Sequence, residues 1–241
     1  MFLAGGIEAA REAAQNRALH RTLTGPETVA TLLLPAGAEL AFTDQTRQTL
    51  ASVWLPHATI VAGILLDGAL QPIGSLEWAG SLARDQTIGD WPCRAGDLWL
   101  TAQGVATRCT LAAAHRTAGY DLPAGAEMRS DPSNGGQEFQ LPQEGPALRI
   151  AALGAELPAG GSLTLRADGS LRRLYVPQES GMAIRGVALR GHILIEGGAL
   201  TGELAEPSLA GDDMLLAGAT VRLDLATGKI EPTTRSSVIE R

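Results

Sequence analysis

Through most of the chain, apolar and polar residues alternate with a period of two. In "TVRLDL", Val221, Leu223 and Leu225 fall on one side and Thr220, Arg222 and Asp224 on the other, the pattern of a strand with one buried face. The same parity sets Leu40 with Phe42, Leu98 with Leu100, Leu163 with Leu165, and Ile193 with Ile195 on the apolar side. Residues 6–23 depart from it. Ala, Glu, Arg and Gln dominate there, and Ile7, Ala10, Ala14 and Ala18 recur at helical spacing, so the spacing predicts an N-terminal helix that Gly25 and Pro26 end.

The alternating segments recur. Each follows a short phrase closing on glycine: "LPAG", "LLDG", "CRAG", "LPAG", "LPAG", "ALRG" and "LLAG", at Gly37, Gly68, Gly96, Gly125, Gly160, Gly191 and Gly218. The gaps are 31, 28, 29, 35, 31 and 27 residues, which predicts seven units of two or three short strands each. Turn signals then follow within each unit, among them Gln103-Gly104, Asn134 to Gly136, Asp168-Gly169, Gly197-Gly198 and Thr227-Gly228. Such dipeptides join antiparallel strands. The expected fold is therefore all-β: an elongated antiparallel ribbon of about seven β-hairpin units, with a parallel β-helix as the alternative. The expected divisions are a helix over 1–24, a β-repeat domain over 25–231 and a polar tail over 232–241.

In "LPAG" the proline suits the second position of a type I turn and the glycine the fourth. The phrase then reads as a corner before a strand, not as a ligand loop.

The stretch "LARDQTIGDWPCRAGDLWLTAQGVATRCTLA" at 82–112 resembles uncharacterised bacterial β-hairpin repeat proteins with "PAG" or "CxAG" corners. In architecture the chain is also distantly similar to MORN repeats, strings of β-hairpins that serve as interaction or membrane-proximal scaffolds. MORN units carry Tyr-x-Gly and Trp-x-x-Gly signatures and are shorter than thirty residues. Neither feature stands here, so no functional residue is carried over.

Composition narrows the picture. Aromatic residues are 4% of the chain, while 29 Gly and 13 Pro supply many corners, so Leu, Ile, Val and Ala must build the core. The net charge of −7, with Lys and Arg scattered, argues against nucleic acid as a partner. No run of 18 apolar residues could span a bilayer as a helix. The opening "MFLAGGIEAA" lacks the positive start of a signal peptide and reads either as the tail of a longer anchor or as an ordinary helix. Periplasmic, membrane-anchored and cytoplasmic placements all stay open.

Recognisable catalytic or cofactor machinery is absent from the sequence: there is no GxSxG, no GxxxxGK[ST] and no GxGxxG. His20, His57, His115 and His192 share no metal-ligand spacing. Asp85, Asp90, Asp97, Asp121, Asp212 and Asp213 qualify as acids by type alone, and turn formation accounts for several of them. Cys93 and Cys109 each replace a leucine of other units. They read either as small buried hydrophobes or as a disulfide contributing about 3 kcal/mol in the chain-entropy model. Trp54, Trp78, Trp91 and Trp99 all lie in the first half, and Trp99 alternates away from Leu98 and Leu100. An exposed indole of this kind suits a contact surface. The expected function is a non-catalytic structural or interaction module, with a protein partner or self-association. The alternative is a carbohydrate-binding or carbohydrate-active β protein that uses acids and a Trp-bearing face.

Overall fold

The computed structural model describes residues 19–44, 46–74, 77–131 and 134–233. They fall into two compact units, divided between Ala112 and Ala113. Every strand pairing among the described residues is antiparallel. The fold is all-β, as the alternation predicts, and the parallel β-helix is set aside. The expected N-terminal helix lies outside the described residues up to position 18. Its last part is strand instead: His20–Thr22 pairs with Glu39 to Ala41.

The first unit contains β1 (His20–Thr22), β2 (Glu27–Val29), β3 (Leu32–Leu34), β4 (Glu39–Phe42), β5 (Leu50–Trp54), β6 (Thr59–Val61), β7 (Ile64–Ile73), β8 (Glu77–Leu82), β9 (Gln86–Ile88), β10 (Trp91–Thr101) and β11 (Ala106–Leu111). Strands β1, β4, β5, β7, β8, β10 and β11 pair in that order into one sheet. Small hairpins lie off it: β2 pairs with β3, β6 with the start of β7, and β9 with the start of β10.

The second unit holds β12 (His115–Thr117), β13 (Tyr120–Leu122), β14 (Glu127–Ser130), β15 (Gln137–Gln140), β16 (Leu148–Ile150), β17 (Ala155–Leu157), β18 (Ser162–Leu165), β19 (Leu171–Val176), β20 (Met182–Ile184), β21 (Val187–Glu196), β22 (Ala199–Leu204), β23 (Ser208–Ala210), β24 (Asp213–Leu215), β25 (Thr220–Asp224) and β26 (Ile230–Pro232). Its sheet runs β14, β15, β18, β19, β21, β22, β25, β26. The small hairpins are β12–β13, β16–β17, β20 with the start of β21, and β23–β24.

Sheets and small hairpins each bury one face. Leu40, Val53, Leu70, Leu98 and Leu100 come from the first sheet, and Leu32, Leu34, Val61 and Ile64 from its small hairpins. The core is aliphatic, as the low aromatic content requires, and each fully buried leucine contributes roughly 1.5–3 kcal/mol.

The corner phrase folds differently from expectation. Ala38, Ala126, Gly161 and Ala219 donate their N–H groups to Pro35, Pro123, Pro158 and Leu216, so the proline stands first in its turn and the glycine third. Gly37, Gly125, Gly160 and Gly218 have φ between +72° and +87°, which a type II turn demands at its third position. The turn is therefore type II instead of type I. Gly37, Gly160 and Gly218 also donate to the carbonyls of Leu23, Pro142 and Leu204. Those amides are used up by the fold and cannot cradle a ligand.

The other three marker glycines do a different job. Gly68, Gly96 and Gly191 sit inside the long strands β7, β10 and β21 with φ of +71°, +111° and +67°. The register shifts across each of them, between Asp67 and Gln71, Cys93 and Leu98, and Arg190 and Leu194. These are bulges, and they let one strand pair with a small hairpin by its first half and with the sheet by its second.

Candidate functional site

Parity decides what the outer face of the first sheet carries. Trp99 in β10 stands opposite Ala79 of β8 and Arg108 of β11, while Trp54 in β5 stands opposite Glu39 and Ala69. Both indoles point away from Val53, Leu98 and Leu100, which are buried. Trp54 is 54% exposed. Trp99 is half-buried beneath Arg108, whose guanidinium carbon lies 5.1 Å from the ring centroid. Ala69 beside Trp54 and Ala79 beside Trp99 carry only a methyl group, and the exposed Gln71 stands opposite Ala79. Asp97 and Thr101 flank Trp99 on the same side, the former opposite Ser81 and the latter opposite Glu77.

The four tryptophans do not form one surface. Trp78 stands opposite Leu100 and is 3% exposed, so it belongs to the core. Trp91 lies half-buried opposite Ile88 in the small hairpin of β9 and β10. Trp54 and Trp99 remain as the outward pair.

The cysteines meet. Cys93 and Cys109 are disulfide-bonded with Cα atoms 5.7 Å apart, and both are buried.

The acids are dispersed and mostly structural. Asp85 accepts the Ala95 N–H at 2.7 Å and so braces the "CRAG" bulge. Asp121 pairs with Arg116 across β12 and β13 at 3.6 Å. Asp90 and Asp212 occupy the two-residue turns after Gly89 and Gly211, and Asp213 opens β24. Among the histidines, His192 lies beside Tyr175 with ring centroids 5.1 Å apart. His20 and His115 sit on β1 and β12, and His57 between β5 and β6. Among the described residues, no three His, Cys, Asp or Glu side chains gather as metal ligands.

Lys229 lowers the Glu231 carboxyl by a hydrogen bond, and three further shifted carboxylates belong to turns and were not among the candidate acids. Asp44, Asp168 and Asp224 are held below the usual carboxylate range by hydrogen bonds within their own turns. The Thr46 hydroxyl is the main cause at Asp44. Ser170 is the cause at Asp168, and the backbone and hydroxyl of Thr227 at Asp224. Turn-forming Asp followed by Ser, Thr or Gly was the available signal. These groups cap hairpins and stay charged. Tyr120 moves the other way, because burial raises its phenol.

No protein-family model matches the chain, and no curated protein matches it significantly.

Proposed function

We propose that this protein is a non-catalytic structural or interaction module that displays an extended β surface, assembled from seven consecutive hairpin units. The recurrence of local structure supports the tandem reading: a small hairpin, a glycine corner or bulge, then a larger hairpin. The order repeats from β2–β3 with Gly37 through β23–β24 with Gly218. The observation that carries the display reading is the outer face of the first unit, where Trp54 is largely exposed beside Ala69 and the Trp99–Arg108 pair stands beside Ala79. Accessible aromatic and arginine side chains are the composition of protein contact sites. The partner is a protein or a second copy of the chain.

A photoreactive amino acid at position 54, in cells that make the protein, tests this. A discrete adduct is expected, and it should be lost on Trp99→Ala. Adducts that are diffuse and indifferent to Trp99→Ala would count against the display surface.

A carbohydrate ligand is the second reading, favoured by the exposed Trp54 ring, since sugars stack on such platforms. Binding to a glycan array that disappears with Trp54→Ala would replace the protein partner with a saccharide.

A further inference from the structure

The disulfide occupies a place that the fold presents three times. In each strand with a glycine bulge, an inward residue ahead of the bulge faces the last residue of the following strand: Leu66 faces Leu82, Cys93 faces Leu111, and Leu189 faces Leu204. Two positions before that last residue, on the same face, stand Gly80, Cys109 and Gly202. Leucine with glycine fills the place twice, and cysteine with cysteine once.

The glycines are there for room. A Cβ at Gly80 would come 2.5 Å from Leu70 Cδ2, and one at Gly202 would come 3.2 Å from Ile193 Cγ1. At the third place the corresponding large residue is Leu98, directly opposite Cys109. Here a Cβ and a sulfur are accommodated beside Leu98, and the sulfur is bonded to Cys93, which stands where Leu66 and Leu189 stand in the other two strands. Leu66, Leu189 and both cysteines are buried at 1% exposure or less.

We propose that the Cys93–Cys109 bond is a permanent staple across two core positions that leucine and glycine occupy at the sibling places, and that this chain therefore completes its fold in an oxidising environment. Reduced, the place is served badly in two ways. A cysteine side chain is smaller than the leucine it replaces, so the packing is incomplete. Two unbonded sulfurs must also sit at van der Waals separation, which a close-packed interior resists. Burial keeps exchange thiols away from the finished bond, which separates it from exposed, labile disulfides. Its formation removes two electrons and two protons from the two thiols, by exchange with a disulfide of the folding compartment that leaves as a dithiol.

Thermal unfolding of the full chain, refolded from denaturant with and without a dithiol reductant and its thiol content checked by alkylation, reads the staple. Reduction should lower Tm by about 5–10 °C, and an unchanged Tm overturns the proposal. The Cys93→Leu/Cys109→Gly variant recreates the sibling residue pair. It should melt above Cys93→Ser/Cys109→Ser and ignore reductant, whereas equal melting of the two variants overturns the equivalence of the three places. If the leucine–glycine variant does not fold, Leu189→Cys/Gly202→Cys in the double-serine background takes over the question. It should form a disulfide on purification in air, and two free thiols there overturn the equivalence. Acid-quenched, alkylated protein from its native source should carry both cysteines blocked as a disulfide, and alkylated free thiols would overturn the oxidising environment.

Discussion

Arg108 covers Trp99 from the neighbouring strand, its guanidinium carbon 5.1 Å from the ring centroid, and the two are direct cross-strand partners in the register of β10 and β11. A cation over an indole at a partly exposed site is worth about 0.5–1 kcal/mol. A double-mutant cycle with Trp99→Leu and Arg108→Leu, followed by urea unfolding, should return a coupling energy in that range. A coupling near zero would mean that the pair touches without stabilising. Because the stack holds Trp99 in a defined orientation, Arg108→Leu should also weaken photo-crosslinking at position 54 less than Trp99→Ala does.

The turn between β2 and β3 is badly furnished for its shape. Ala30 and Thr31 both have positive φ, +43° and +80°, as a type I′ turn requires at its two central positions. Neither residue is at ease there, and the β-branched Thr31 least of all. Replacing the pair with Asn-Gly should raise stability by about 1–2 kcal/mol, seen as a higher urea midpoint with an unchanged m-value. Ala62, Ala118 and Arg185 take the first position of similar turns, but glycine follows each of them. Asn at those sites should help less.

Acid should loosen the larger hairpins. Asp44, Asp168 and Asp224 each have a folded-state pKa below the unfolded value. Their contribution is therefore fully present above the unfolded pKa of about 3.9 and is lost as pH falls through the lower folded values. The urea midpoint should hold from pH 7 to about pH 5 and then decline toward pH 3. The triple variant Asp44→Ala/Asp168→Ala/Asp224→Ala should start lower at pH 7 and decline less steeply over the same interval.

Much of the fold was legible in the alternation, because a period of two is a local property and needs no partner to be read. The inward direction of Leu98 and Leu100 in β10, Leu163 and Leu165 in β18, Ile193 in β21 and Val221 and Leu223 in β25 follows directly from it. So does the outward direction of Trp99, since its neighbours Leu98 and Leu100 leave it no other side. The small hairpins were harder to see. Their strands are three residues long, too short for a period to register. Their two-residue turns carry Ala-Thr, Ala-Gly, Arg-Gly and Gly-Asp instead of the Asn-Gly pair that announces a hairpin, and Ala151–Leu153 with Gly154 joins β16 to β17. The stretches "TIGDW" and "MAIRGVAL" contain no Asn-Gly pair and still fold as hairpins.

The sequence by itself determined that this chain is made of strands and glycine corners, with an aliphatic core and no clustered charge for nucleic acid. Those properties are set by side-chain parity, by backbone φ and by composition, all of which act within a few residues. Only the tertiary structure decided which glycines turn a corner and which interrupt a strand, because a bulge exists only relative to a partner strand. Pairing also separated Trp54 and Trp99 from Trp78, which its own segment left undirected until Leu100 was found opposite it. Pairing likewise joined Cys93 to Cys109, whose 16-residue separation carries no direction of its own. The register across the Gly96 bulge supplies that direction, placing both side chains on the one buried face.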